Sequence, residues 1–234
     1  MRTSWRRLEV LPLLLLFAIA GCGGDKVVEE IDWLPPGSDA PPLADSPTHL
    51  VQRLAREWEF QDLPEYGKLL TEDFHFRFSP LSDPLLVEQY PNWELDDEMA
   101  STRHLFEGFT NAAAQVIPAV SRIELTLTGI AVEDDSAHAD STAHYRRVVV
   151  TNMSGTFQIP ALPDPVNYSL SSRQEFLVVR GDAAVVVGGV AGDSTRWYVR
   201  RWDDRAADPF DGRRNTIDSA VPKTFGAIKA QYRD

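Results

Sequence analysis

The sequence predicts an α+β fold in which a curved antiparallel sheet wraps around two or three N-terminal helices. Three observations carry that prediction. From Arg122 to Asp204 apolar and polar residues alternate between tight acidic or glycine turns, the pattern of successive strands. From Pro47 to Phe60 apolar residues instead recur at helical spacing. Helices and one early strand precede a run of strands, an order that layers helices on one side of a sheet rather than interleaving the two.

The chain opens with Arg2, Arg6 and Arg7, an apolar run from Val10 to Ile19, and Ala20-Gly21-Cys22. A charged start, a short apolar stretch and small residues before a cleavage point make residues 1–21 a signal peptide, since a spanning helix needs about 20 apolar residues. Ile19-Ala20-Gly21-Cys22 resembles the bacterial lipobox, which implies acylation of Cys22, the one cysteine of the chain. Several acyl chains at about 0.8 kcal/mol per buried methylene anchor a protein durably. Gly23 after the cysteine, by resemblance to Gram-negative lipoproteins, implies the periplasmic face of the outer membrane. Residues 22–46, with Pro35-Pro36-Gly37 and Pro41-Pro42 among acids, read as an extended tether. Within it, Ile31, Trp33 and Leu34 are the only apolar cluster with a reason to dock. Residues 47–234 are expected to be a single domain with a C-terminal tail.

The formal charge is −12. Removing Arg2, Arg6, Arg7 and Glu9 with the signal peptide takes away three positive charges and one negative one, so −12 becomes −14. Such a surface argues against nucleic acid and anionic lipid headgroups as partners. Contact with the membrane is then expected through the N-terminal lipid alone.

Ser46 caps a helix that has Pro47 in its first turn and carries Leu50, Val51, Leu54 and Trp58 on one face. Asp62 caps a second, through Tyr66, Leu69 and Leu70, ended by Thr71-Glu72-Asp73. Phe74-His75-Phe76-Arg77-Phe78 alternates as a strand, with the phenylalanines on one face and His75 and Arg77 on the other. Pro80 to Glu98 reads as a long loop, and Ser101 or Thr102 as the cap of a third helix through Leu105, Phe106, Phe109 and Ala113. Strands follow at Ile123–Ile130, Ala137–Val150, Arg173–Arg180, Ala183–Val190 and Thr195–Trp202, giving an antiparallel meander. Thr156 to Ser172, with Pro160, Pro163 and Pro165, is too long for a plain hairpin and is expected to be an irregular excursion. Val221, Phe225, Ile228 and Tyr232 have helical spacing, which predicts a tail packed back on the domain.

Asp-Leu-Pro-Glu-Tyr at 62–66, Leu-Leu-Thr-Glu-Asp-Phe-His-Phe at 69–76 and Trp-Tyr-Val-Arg-Arg-Trp-Asp-Asp at 197–204 together resemble the nuclear-transport-factor-2-like (SnoaL-like) superfamily. Pro222-Lys223-Thr224-Phe225-Gly226-Ala227-Ile228-Lys229 resembles the ending of bacterial lipoproteins of that superfamily. The resemblance implies a cone-shaped, cystatin-like fold in which sheet and helices enclose an apolar pocket, and dimerisation through the outer face of the sheet. Its members include isomerases, cyclases, dehydratases, epoxide hydrolases and many proteins without catalysis, so it does not settle function.

A cone enzyme needs an acid or base facing its pocket, with a pKa shifted by burial. The candidates by residue type are Tyr66, Asp73, His75, His104, Asp140, His144 and Tyr145. His75 and Arg77 point away from the pocket if the phenylalanines face it. The expected pocket wall comprises Trp58, Tyr66, Phe74, Phe76, Phe78, His144, Arg146 and Trp197. Alternation alone does not decide whether His144 and Arg146 or Tyr145, Arg147 and Val149 look inward. Asp96-Asp97-Glu98, Asp134-Asp135 and Asp203-Asp204 read as solvated acids at turns and loop ends. His138 and His144, six extended residues or about 20 Å apart, make no metal pair. Without a phosphate loop, a nucleophile elbow or a second cysteine, no cofactor or metal is expected. Two function classes follow: a non-catalytic, lipid-anchored module binding a small ligand or a protein, and a lyase, isomerase or hydrolase using an acid–base residue in the pocket.

Overall fold

The computed structural model describes residues 43–81, 83–135, 144–160, 165–205 and 221–233. The signal peptide, Cys22, most of the tether, His138 and Asp140 lie outside the described residues. Helix α1 (Pro47–Phe60) begins as its sequence dictates: the Ser46 side chain accepts from the His49 N–H, and Gln61 closes the helix in the left-handed region at φ 56°. Asp62 caps α2 (Leu63–Gly67) by accepting from the Glu65 N–H. Strand β1 (Leu70–Arg77) follows at once, so Leu70 to Asp73 belong to the sheet rather than to the helix end.

The segment expected to be a loop between Pro80 and Glu98 holds α3 (Pro84–Gln89), β2 (Trp93–Glu94) and the start of α4 (Leu95–Glu107). Helix α4 therefore begins before Ser101 and Thr102, whose hydroxyls are buried inside it instead of capping it. Its first turn is closed by the Asp97 carboxylate accepting from the Glu94 N–H at 3.3 Å. It stops at Gly108, φ 74°, where an added Cβ would stand 2.8 Å from the Ala119 nitrogen. Phe109 and Ala113 consequently fall outside the helix, Phe109 in β3 (Phe109–Thr110), which pairs with β4 (Val116–Ile117).

The main sheet has the order β2-β1-β10-β7-β6-β5, with β11 on β7. Its antiparallel meander is β5 (Arg122–Asp134), β6 (Tyr145–Ile159), β7 (Val166–Arg180) and β10 (Trp197–Arg205). The described part of Thr156 to Ser172 is not an excursion, because β6 and β7 stay paired as far as Ile159 and Val166. The long strands carry polar residues at every second position there, which hides them from an apolar-run reading. The expected strand at Ala183–Val190 is a separate hairpin, β8 (Val186–Val187) with β9 (Val190–Ala191), turning through Gly188 and Gly189 at φ 56° and 79°. Among the described residues two pairings are parallel, β1 with β10 and β11 (Val221–Lys223) with β7.

The sheet bends where its pairing slips. Gly129, at φ 66°, interrupts β5 opposite Thr151, whose hydroxyl donates to the Gly129 carbonyl at 3.0 Å. β6 shifts register against β7 between Val150 and Met153. The bulge between β6 and β7 and the positive-φ glycine beside it in β5 curl the sheet about its inner face. They also explain why the buried residues step from Ile123, Leu125 and Leu127 to Ile130, changing parity across the glycine.

Helix α1 lies across the concave face, tied by the Glu59 carboxylate, which accepts from the Leu125 N–H at 3.0 Å. The last element is α5 (Phe225–Gln231), capped by Thr224, which also bonds Asp83. Phe225, Ile228, Lys229 and Tyr232 are all buried against the same core as α1. At the other end, Ala44 is buried and its carbonyl accepts from the Trp197 N–H at 2.7 Å, so the last residues of the expected tether lie against β10.

Candidate functional site

The concave interior is filled by aromatic rings around Trp58. Its ring centroid lies 4.7 Å from that of Phe225, 5.6 Å from Phe106, 5.8 Å from Tyr66, 6.2 Å from Phe157 and 6.4 Å from Trp202. The edge-on and tilted geometries are those that ring quadrupoles favour. Trp58, Tyr66 and Phe74, expected to line a pocket, are instead buried in this core, whereas Phe76 and Phe78, their rings 5.1 Å apart, border both the core and a recess beside it.

Inside this apolar mass sits a charged pair. Lys229 Nζ donates to both carboxylate oxygens of Glu98, at 2.7 and 2.9 Å, and both side chains are fully buried. Glu98 also accepts from the Tyr66 hydroxyl at 2.5 Å, Trp93 Nε1 at 2.9 Å and the Thr102 hydroxyl at 3.4 Å. The ammonium lies 3.8 Å from the Trp202 ring centre and 4.0 Å from that of Phe76. Burial pushes the Lys229 ammonium down to about 8, against the pull of Glu98. The Tyr66 hydroxyl is held well above its usual range by burial and by the Glu98 charge.

A second buried acid, Asp204, sits on β10 at the edge of the same interior. Its oxygens accept from Gln174 Nε2 at 2.7 Å and from the Gly226 N–H at 2.8 Å. Burial raises it to about 6 in spite of those two donors. Gln174 is itself fixed by Trp202 Nε1 at 2.5 Å and Ser172 Oγ at 2.6 Å. Beside Asp204, a recess of about 300 Å³ opens between β1, α3 and β10, lined by Phe76, Phe78, Val87, Tyr90, Asp203 and Arg205 among others.

Glu98, Asp203 and Asp204 thus correct the expectation that these acidic runs are solvated, since each is 3% exposed or less. The reason is local: α4 starts early enough to turn Glu98 inward with Ser101, Thr102 and Leu105, and β10 runs on through Asp203 and Asp204 to Arg205. On the convex side Asp203 is flanked by Arg201 at 3.1 Å, Arg205 at 3.3 Å and Arg77 at 3.9 Å. A signal for the pair was present in the sequence. Lys229 falls at the i+4 position of the Phe225, Ile228, Tyr232 stripe, where a charge on an apolar face calls for a buried partner.

The other predicted residues are scattered. His75, Arg77 and His144 are exposed, and Arg146 reaches Asp134 at 3.4 Å on the surface. Trp197 is half-buried against the core margin. Asp73 and Tyr145 are brought together by Arg200, which pairs with Asp73 at 2.6 Å and bonds the Tyr145 hydroxyl. His104 stacks on Phe109 at 4.3 Å and donates through Nδ1 to the Tyr232 carbonyl at 2.8 Å, a clamp on α5. Among the described residues no group of three or more His, Cys, Asp or Glu could hold a metal, and no helix is long and apolar enough to cross a membrane.

No family model matches the chain, and no curated protein does. Solved structures that are similar include a putative scytalone dehydratase from Novosphingobium aromaticivorans DSM 12444, with 12% identity over 71% of this chain and 91% of that one, TM-score 0.43. A naphthalene 1,2-dioxygenase with indole in its active site shares 10% identity over 71% and 79%, TM-score 0.44. An NTF-2-like protein of unknown function from Shewanella oneidensis MR-1 shares 12% over 68% and 94%, TM-score 0.29.

Proposed function

We propose that this chain is an exported bacterial protein, held by lipid on Cys22 at the periplasmic face of the outer membrane, whose domain binds and does not catalyse. The observation that carries the second half is the filled interior. The space in which a cone enzyme would hold its substrate is occupied by Trp58, Phe225 and Lys229, and the charges within it are satisfied by one another. A substrate chamber needs several hundred Å³ of room and a titratable group free to meet the substrate. Binding then falls to the recess beside β1 and α3, where Phe76, Phe78, Val87 and Tyr90 stand beside Arg77, Asp203 and Arg205, a lining that suits a small ligand with both an apolar and a polar part.

The anchor is supported by the lipobox-like Ile19-Ala20-Gly21-Cys22 and by the fact that no other cysteine competes for the role. Two measurements test the proposal. Expressed in a Gram-negative host, the full chain fractionates with membranes and its amino-terminal peptide carries diacylglycerol on Cys22, whereas Cys22→Ser is recovered in the soluble fraction. An unmodified Cys22 overturns the anchoring. Incubated with a cell-envelope small-molecule extract, the purified chain retains a ligand through gel filtration that Val87→Trp, which fills the recess, does not. Depletion of any extract component with appearance of a product overturns the non-catalytic reading.

A second reading rests on Asp204, a carboxyl pushed up to about 6 at the wall of that recess. It is the residue through which a lyase, isomerase or hydrolase would move a proton. In that case Asp204→Asn abolishes the turnover just described.

A further inference from the structure

We propose that the interior around Glu98 is a recognition site for a primary ammonium group, and that Lys229 is its resident, tethered occupant. Three features distinguish this from an ordinary ion pair. The ammonium meets both carboxylate oxygens of one residue, at 2.7 and 2.9 Å, so two of its three N–H groups are aimed at a single acceptor. It lies against the Trp202 and Phe76 ring faces at 3.8 and 4.0 Å, with Phe225 and Trp58 at 5.2 and 5.6 Å, an arrangement that attracts a cation through the ring quadrupoles. The carboxylate is held independently of the lysine by Tyr66, Trp93 and Thr102, from α2, the β2–α4 junction and α4 itself. Most of the site's walls come from elements other than α5, on which the cation arrives.

This inference rests on the filled-interior reading and names what fills it. The contact distances set the ligand class. A quaternary ammonium has no N–H to give Glu98 and its methyl groups would hold the nitrogen away from the rings, whereas a primary alkylammonium reproduces every contact of the lysine head. The alkyl stem lies among apolar side chains, so the ligand is an unbranched alkylamine rather than a hydrophilic one.

The test is chemical rescue in the full chain, purified in non-ionic detergent. Lys229→Ala removes three methylene carbons and the nitrogen, which n-propylammonium restores atom for atom. Expected is a lowered Tm for the variant that n-propylammonium chloride raises saturably by several degrees, with no comparable effect from sodium chloride, 1-propanol or tetramethylammonium chloride at equal concentration. The same titration leaves Glu98→Gln/Lys229→Ala unmoved. Equal responses to the four compounds, or a response that survives Glu98→Gln, overturn the proposal. If Lys229→Ala has no folded baseline, recovery of its near-UV circular dichroism on adding n-propylammonium becomes the readout, and failure to recover overturns the proposal equally. These outcomes are separate from the turnover assay, since wild-type catalysis would not affect rescue and failed rescue would not create turnover.

Discussion

Replacing Lys229 by methionine in the full chain leaves Glu98 as a fully buried carboxylate with three neutral donors and no counter-charge among the described residues. Breaking one side of a buried ion pair costs about 3–5 kcal/mol, because the remaining charge has been taken out of water without compensation. Methionine fills nearly the same volume, and its thioether sits well against the Trp202 and Phe76 rings, so little of that cost comes from packing. Glu98→Gln alone strands the lysine ammonium in the same way and belongs in the same range. The double variant Glu98→Gln/Lys229→Met removes both charges. The carbonyl oxygen of the introduced side-chain amide can accept from Trp93, and its NH2 group can donate to the Tyr66 oxygen, whose hydroxyl rotates to suit. The double variant is therefore expected within about 1 kcal/mol of wild type. Guanidinium unfolding followed by tryptophan fluorescence gives all four stabilities. A coupling energy near zero, with the double variant as damaged as the sum of the singles, would refute the reasoning. So would a Lys229→Met penalty below about 1 kcal/mol.

Asp204 predicts a pH dependence of opposite sign to the usual carboxylate. Its folded pKa of about 6 lies above the ordinary 3.8, so the folded chain holds the proton more tightly and stability falls as pH rises from about 4 to above 6. The loss is on the order of 3 kcal/mol at most, and Asp204→Asn should flatten it in a stability–pH profile. At Gly155 an added Cβ would lie 2.1 Å from the Glu124 carbonyl oxygen, a backbone atom in the paired strand. Gly155→Ala should therefore cost at least about 2 kcal/mol in denaturant titration, unlike surface glycines with room around them. Phe225→Ala, which removes the ring in contact with Trp58, Phe157 and Trp202, should cost about 3–5 kcal/mol and lower the Tm accordingly.

The elements with simple periodicity were legible. Helix α1, the Phe74, Phe76, Phe78 face of β1 and the inward rows of β5 follow directly from spacing and caps, as does burial of Phe225, Ile228 and Tyr232. Failures cluster where a polar residue is buried for a tertiary reason. Ser101 and Thr102 look like caps, yet they lie mid-helix because Ser101 donates to the Lys229 carbonyl at 2.7 Å and Thr102 faces Glu98. Thr156 to Ser172 looks like a loop because strand pairing with neighbours, which no local window contains, satisfies its polar backbone. Glu98 and Asp204 were misread for a related reason. An acid beside other acids looks solvated until the lysine or the glutamine that meets it is brought from more than 20 residues away. Spacing marks Trp58, Tyr66, Phe74, Phe76 and Phe78 as inward-facing aromatics, but it does not reveal that α5 comes to lie among them.

The bond between Lys229 and Glu98 joins residues 131 apart in sequence, and those of α5 to Ser101 and from Tyr232 to Pro118 span 128 and 114. Contacts of such separation form late, because the loop they close must be ordered before any of them repays its entropy. The meander and α1 can collapse first, on shorter closures, leaving a half-finished shell whose aromatic lining faces water. Refolding should pass through that greasy, dye-binding species and wait there for docking of the final helix, the step at which aggregation competes with completion.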